Sequence, residues 1–159
     1  MDAIDIDLKG DEKFYIENCG GIRKKPILEN IEYFYRKKVH LEVTDLIVPS
    51  KGREKEIKEN CEFIASIDKD IPVHFLRFFP MYKLDYLPAT DISALKKAKE
   101  IAKKAGLNYV YIGNLHDEEN SCCKKCGNLL VRRISYSTTV EGMKGSRCSK
   151  CGSENNFSP

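Results

Sequence analysis

Hydrophobic and polar residues alternate at the start of the chain: across residues 3–9, Ile4, Ile6 and Leu8 fall on one face and Asp5, Asp7 and Lys9 on the other. A period of two predicts a strand with one apolar and one polar face. Further on the period lengthens. After Pro26, suited to the first turn of a helix, Ile27, Leu28, Ile31, Phe34 and Tyr35 share one stripe. It runs into Arg36-Lys37-Lys38, where cations favour a helix C-terminus. Residues 39–48 read as a second strand stopped by Pro49, and residues 53–67 as a helix with Ile57, Cys61, Ile64 and Ala65 turned inward. The largely apolar run 71–79, closed by Pro80, predicts a buried strand, and a loop rich in Tyr and Pro follows over 81–89. Thr90 is expected to cap a further helix that buries Ile92, Leu95, Ala98, Ala102 and Ala105 and ends at Gly106. Residues 109–113 form the fourth strand.

Strands alternating with helices over short links predict repeated βαβ units and a parallel sheet. The expected fold class is therefore α/β: a partial, half TIM-type barrel of about four parallel strands with helices, over residues 1–115. Residues 116–120 are a polar linker. From 121 to 159 the composition shifts to Cys, Gly, Ser and Lys, which predicts a small separate domain.

Composition narrows the function classes. Of the 159 residues, 42% are hydrophobic and 32% charged, with a formal net charge of only +3, so neither a membrane surface nor a dedicated nucleic-acid surface dominates. No apolar run is long enough to span a bilayer. The N-terminus, Met-Asp-Ala-Ile-Asp-Ile-Asp, is acidic where a signal peptide begins basic, so a cytoplasmic location is expected. In such a reducing compartment clustered cysteines point to metal rather than to disulfides.

Five of the seven cysteines fall within residues 122–151. Cys123-Lys-Lys-Cys126-Gly and Cys148-Ser-Lys-Cys151-Gly repeat one phrase. Each C-x-x-C turn delivers two thiolates from one tight loop, and the Gly that follows lets backbone amides turn toward the sulfurs. Two such knuckles make a closed four-thiolate site, and residues 129–136 and 138–140 have the strand composition of a zinc ribbon's hairpin. Structural Zn²⁺ on Cys123, Cys126, Cys148 and Cys151 is the expectation; a single iron of the rubredoxin kind and a redox role are the alternatives. Cys122 is a bystander, or replaces Cys123 in a shifted register. Cys61 is expected in the core.

Several segments, in order, are similar to one family: Asp-Ala-Ile-Asp-Ile-Asp-Leu-Lys at 2–9, Cys19-Gly20-Gly21, His40-Leu-Glu-Val-Thr-Asp-Leu-Ile-Val-Pro49, Pro72-Val-His-Phe-Leu-Arg-Phe-Phe-Pro80, Tyr109-Val-Tyr-Ile-Gly-Asn114 and the cysteine-rich tail. They resemble the radical-SAM proteins of the AmmeMemoRadiSam system, relatives of the activating enzymes for pyruvate formate-lyase. The resemblance is to the C-terminal half of such a protein. It implies that Asp7 and Lys9, an Asp-x-Lys on a middle strand, contact S-adenosylmethionine. Thr44 stands where those relatives place an Arg against the cofactor carboxylate, and Phe79 where they place a His near the ribose. The C-x-x-x-C-x-x-C triplet that holds the family's [4Fe–4S] cluster does not occur in this sequence, so the chain is expected not to bind the cluster.

The resemblance thus implies a C-terminal portion that is catalytically incompetent alone and binds S-adenosylmethionine only with a partner half; the expected partner is a protein carrying the N-terminal half-barrel, with a homo-oligomer as the alternative. The alternative is a stand-alone zinc-ribbon module contacting nucleic acid or protein. His40 and His74, in strands, are expected to be structural and hydrogen-bonded, and Arg23-Lys24-Lys25 to form a solvated face.

Overall fold

The computed structural model describes residues 1–115, 117–135, 137–155 and 157. His116 of the expected linker and Tyr136 at the end of an expected strand lie outside the described residues. The chain divides into two compact units, Met1–Asn114 and Leu115–Pro159.

The first unit runs β1 (Ala3–Asp7), α1 (Glu12–Asn18), α2 (Lys25–Arg36), β2 (His40–Ile47), α3 (Arg53–Ile67), β3 (Val73–Arg77), a 3₁₀ turn (Tyr82–Leu84), α4 (Ile92–Lys104) and β4 (Val110–Gly113). The strands form one sheet in the order β1-β2-β3-β4, every neighbouring pair parallel. Parallel neighbours joined through helices require crossovers, and right-handed crossovers between successive strands put the helices on one side. The buried residues Leu41, Val43, Ile47, Val73, Phe75, Val110 and Ile112 share that side by alternation and register. Ile31 of α2, Ile57, Cys61 and Ile64 of α3, and Leu95, Ala98 and Ala102 of α4 complete this core. Cys61 is thus a core thiol, and its burial pushes it up to about 12. The four-stranded parallel sheet with its helices is the α/β class read from the sequence.

One buried polar residue interrupts the apolar side of β2. Asp45 pairs with Arg53 at the start of α3, and Arg53 also reaches Glu56 at 3.1 Å. Next to them Lys24 donates to the Asn60 side-chain oxygen at 2.6 Å. Burial lowers the Lys24 ammonium below its ordinary range, so this lysine does not belong to the solvated face expected of Arg23-Lys24-Lys25.

Thr90 also differs from expectation. Asp91 caps α4, its side chain accepting from the Ser93 amide at 2.7 Å. Thr90 is instead buried, at 1% exposure, where its hydroxyl donates to the Ile47 carbonyl and accepts from the Phe78 amide at 3.1 Å. It therefore ties the ends of β2 and β3 to the entry of α4. Thr90→Val keeps the shape and leaves both backbone groups unpaired. It should cost about 2–3 kcal/mol in urea unfolding.

The second unit contains β5 (Ser121–Cys122), β6 (Leu129–Ile134), β7 (Ser137–Val140), β8 (Met143–Lys144) and β9 (Arg147–Cys148). β5, β6 and β7 form an antiparallel sheet, and β8 and β9 a separate two-stranded ladder. Its core is small: Cys123, Leu130, Val131 and Cys148, with Cys126, Met143, Cys151 and Phe157 packed against them.

Candidate functional site

The two C-x-x-C turns fold alike. In each, the amide of the following Gly donates to the carbonyl of the first Cys, Gly127 to Cys123 at 2.8 Å and Gly152 to Cys148 at 2.9 Å. In each, the first Cys amide donates five residues onward, to Asn128 at 2.8 Å and Ser153 at 2.9 Å. Both glycines take positive φ, 71° and 69°, which a side chain would strain. This geometry turns both sulfurs of a knuckle to the same side.

The four sulfurs of Cys123, Cys126, Cys148 and Cys151 lie within 4.8 Å of one another. Across the knuckles, Cys123 is 3.6 Å from Cys151 and Cys126 is 3.7 Å from Cys148. A tetrahedron of thiolates at about 2.3 Å from a central ion has edges of about 3.8 Å, so the set can hold one metal ion. Cys122 is exposed and stands outside the cluster, which favours the register through Cys123. Ser153 places its hydroxyl 3.1 Å from the Cys123 sulfur and 3.2 Å from that of Cys151, an outer-shell contact on the two sulfurs. That hydrogen bond is the main reason the Cys151 thiol sits below its ordinary range.

A second constellation lies on the other face of the parallel sheet. Register sets Asp5 beside Glu42, Asp7 beside Thr44, Thr44 beside His74 and His74 beside Tyr111. The Thr44 hydroxyl is 2.9 and 3.0 Å from the two Asp5 carboxylate oxygens. Glu42 bridges two histidines: His40 Nε2 is 3.1 Å from one oxygen and His74 Nε2 2.7 Å from the other. The His74 ring stacks on Tyr111, centroids 5.2 Å apart. His40 and His74 are hydrogen-bonded, as expected, but through a carboxylate that spacing alone did not single out. The one signal available was the shared period-two face of Glu42 with His40 and, through register, His74.

Those contacts, led by the one to His74 and opposed by burial, hold the Glu42 carboxyl down at about 2. A carboxyl depressed in the folded state contributes stability above its unfolded pKa and loses it as pH falls through the folded one. That loss spans roughly pH 4.5 to 2. Glu42→Gln should remove this acid dependence and cost about 1–2 kcal/mol at neutral pH, discounted because the carboxylate is partly open to solvent. Urea titrations from pH 2 to 7 measure both.

At the C-terminal end of β1, Asp7 and Lys9 sit together, Lys9 Nζ 3.2 Å from Asp7 Oδ2, with side chains 26% (Lys9) and 57% (Asp7) exposed. The paired ammonium and carboxylate lie at the C-terminal end of a parallel strand, the end at which α/β proteins with parallel sheets in general bind ligands. Thr44 is taken up by Asp5. Phe79 is half exposed, its ring under the Arg77 guanidinium at 4.9 Å.

Comparison with known proteins places the fold. The fold resembles that of a domain of pyruvate-formate lyase-activating enzyme from Bacteroides vulgatus, with a TM-score of 0.59 and 21% identity over 71% of this chain and 68% of that one. An uncharacterized protein of Methanocaldococcus jannaschii is 35% identical over 158 residues, covering 96% of this chain and 47% of that protein. The chain spans about half the length of this curated relative. No family model matches. Among the described residues, no helix is long and apolar enough to cross a membrane.

Proposed function

We propose that this chain is the C-terminal portion of a radical-SAM protein of the activating-enzyme kind, its barrel completed by a polypeptide that carries the N-terminal half. The sheet supports this most directly. All-parallel sheets are as a rule covered on both faces, yet here one face carries Asp5, Asp7, His40, Glu42 and His74, exposed or half-buried. The outer strands β1 and β4 each have one neighbour in the described sheet. A complementary half-barrel would turn that polar face into a lumen and cover both edges.

In this proposal Asp7 and Lys9 contact S-adenosylmethionine. Their opposite charges suit its amino-acid moiety, and the ion pair between them opens to admit it. The cofactor's chemistry in such proteins is radical generation at a [4Fe–4S] cluster. The sequence lacks the cysteine triplet that would hold this cluster. The cluster therefore belongs to the complementary half, and the chain alone is inactive.

The four cysteines hold structural Zn²⁺ in this reading. Four thiolates leave no position for water, which suits a structural rather than a hydrolytic metal. Edges of 3.6 and 3.7 Å fit one ion, whereas an iron–sulfur cubane attaches each cysteine to a different iron. The alternative role as a nucleic-acid module draws less support. Arg132 is engaged by Glu118 at 2.5 Å and Glu141 at 2.6 Å, and Arg147 lies 3.9 Å from Glu154. Part of the local positive charge is thereby spent within the unit.

The test is affinity purification of the chain from its native host. The expected result is a complex with a polypeptide containing C-x-x-x-C-x-x-C, and an iron–sulfur EPR signal on reduction that S-adenosylmethionine perturbs. A monodisperse monomer at micromolar concentration, with no such companion, overturns the proposal.

A further inference from the structure

β1 ends in a tight connection that the sequence pattern did not reveal. Leu8, 1% exposed, continues the ladder, its amide donating to the Thr44 carbonyl at 2.8 Å. In a parallel strand the backbone groups of the flanking residues then point the other way, toward the outer edge. There they meet Tyr15. The Tyr15 hydroxyl donates to the Asp7 carbonyl at 3.1 Å and accepts from the Lys9 amide at 2.9 Å. One oxygen thus does what a neighbouring strand would do at this step.

Two local features bring it there. Gly10 turns the chain at φ +53°, where an added Cβ would lie 2.6 Å from Phe14 Cβ. Asp11 then caps α1, its side chain accepting from the Phe14 amide at 2.8 Å, so the helix begins at once and Tyr15 falls in its first turns. Tyr15 is 3% exposed, and burial pushes its phenol up to about 12, so the hydroxyl keeps its proton at any physiological pH.

We propose that Tyr15 is the positioning residue for the Asp7–Lys9 pair, its hydroxyl fixing the backbone step from which both side chains project at the end of β1. This rests on Asp7 and Lys9 being the cofactor contacts proposed above. A corollary concerns assembly. Because Tyr15 occupies the edge at Asp7 and Lys9, an incoming strand of the complementary half can pair with β1 only before that step.

Tyr15→Phe removes one oxygen and keeps the ring. In the chain alone, hydrogen exchange at the Lys9 amide should quicken by roughly tenfold or more, while amides of β2 and β3 keep their rates. In the complex with the N-terminal half, S-adenosylmethionine affinity should fall by about tenfold with the melting temperature held well above the assay. A Lys9 amide that exchanges at the wild-type rate overturns the proposal. So does faster exchange with unchanged affinity, which would make Tyr15 an edge cap and nothing more. Asp7→Asn and Lys9→Ala separate the two levels. If they abolish binding while Tyr15→Phe does not, the positioning role fails alone. If they leave affinity intact, or if no complex binds the cofactor, the assignment of Asp7 and Lys9 fails, and the exchange measurement still decides whether the clamp exists.

Discussion

If Cys123, Cys126, Cys148 and Cys151 hold the proposed zinc, its removal is expected to unfold the segment 117–157 while residues 1–114 keep their fold. The reason is the composition of its core. Of the residues that pack there, Cys123, Cys126, Cys148 and Cys151 are themselves the candidate ligands, leaving Leu130, Val131, Met143 and Phe157 as the apolar remainder. β5, β8 and β9 are two residues each, and every residue of β7 is exposed. So little apolar burial cannot offset the ordering of some forty residues. Structural zinc in small domains contributes on the order of 10–16 kcal/mol at neutral pH, which under the proposed zinc assignment would be most of what holds this unit. Chelation, or Cys148→Ser, should collapse the amide resonances of this segment and leave those of the parallel sheet dispersed. Elemental analysis should find about one zinc per chain. One iron per chain would leave the tetrathiolate centre standing and overturn the assignment of zinc.

The sequence was most legible where the pattern is long and local. The period of 3.6 places α3 on the residues predicted for it, Arg53–Ile67, and the strand segments lie within a few residues of β1 to β4. The repeated C-x-x-C-G phrase singled out the four sulfurs that come together, because the two knuckles need only local turns and the two hairpins β6–β7 and β8–β9 between them. What stayed hidden depends on long-range contact. α1 is seven residues long, too short for periodicity, and its reason to exist is the reach of Tyr15 back to β1. Thr90 and Asp91 are both good capping residues, and only the approach of the Ile47 carbonyl decides which of them turns inward. Likewise Glu42 is one polar residue among several on its strand until register brings His74 against it. Lys24 reads as one of three surface cations, and α3 must be in place before Asn60 can receive it.

The largest single-residue effect in the parallel sheet is expected at Arg53. Its guanidinium and the Asp45 carboxylate are 9% and 4% exposed, so neither can turn to water if the other is removed. Asp45 also has one oxygen, Oδ2, with no hydrogen-bond partner among the described residues, so Arg53 is its principal source of compensation. Burial pushes the Asp45 carboxyl up to about 6, against the pull of Arg53. For an acid whose folded pKa is raised, the native state holds the proton more tightly, so this group favours folding at low pH and weakens it as pH rises from about 4 to 6. Arg53→Met takes away the opposing charge and should cost about 3–5 kcal/mol at pH 7. Part of that loss should be recovered on acidifying toward pH 5, where Asp45 can protonate. The double variant Asp45→Leu with Arg53→Met removes both charges and should recover most of the stability, because an apolar pair avoids both desolvation costs. Urea unfolding of the four proteins in this cycle, at pH 5 and pH 7, measures the coupling. If the single and double variants are equally unstable at both pH values, the pair is held by packing of α3 against β2 and not by its charges.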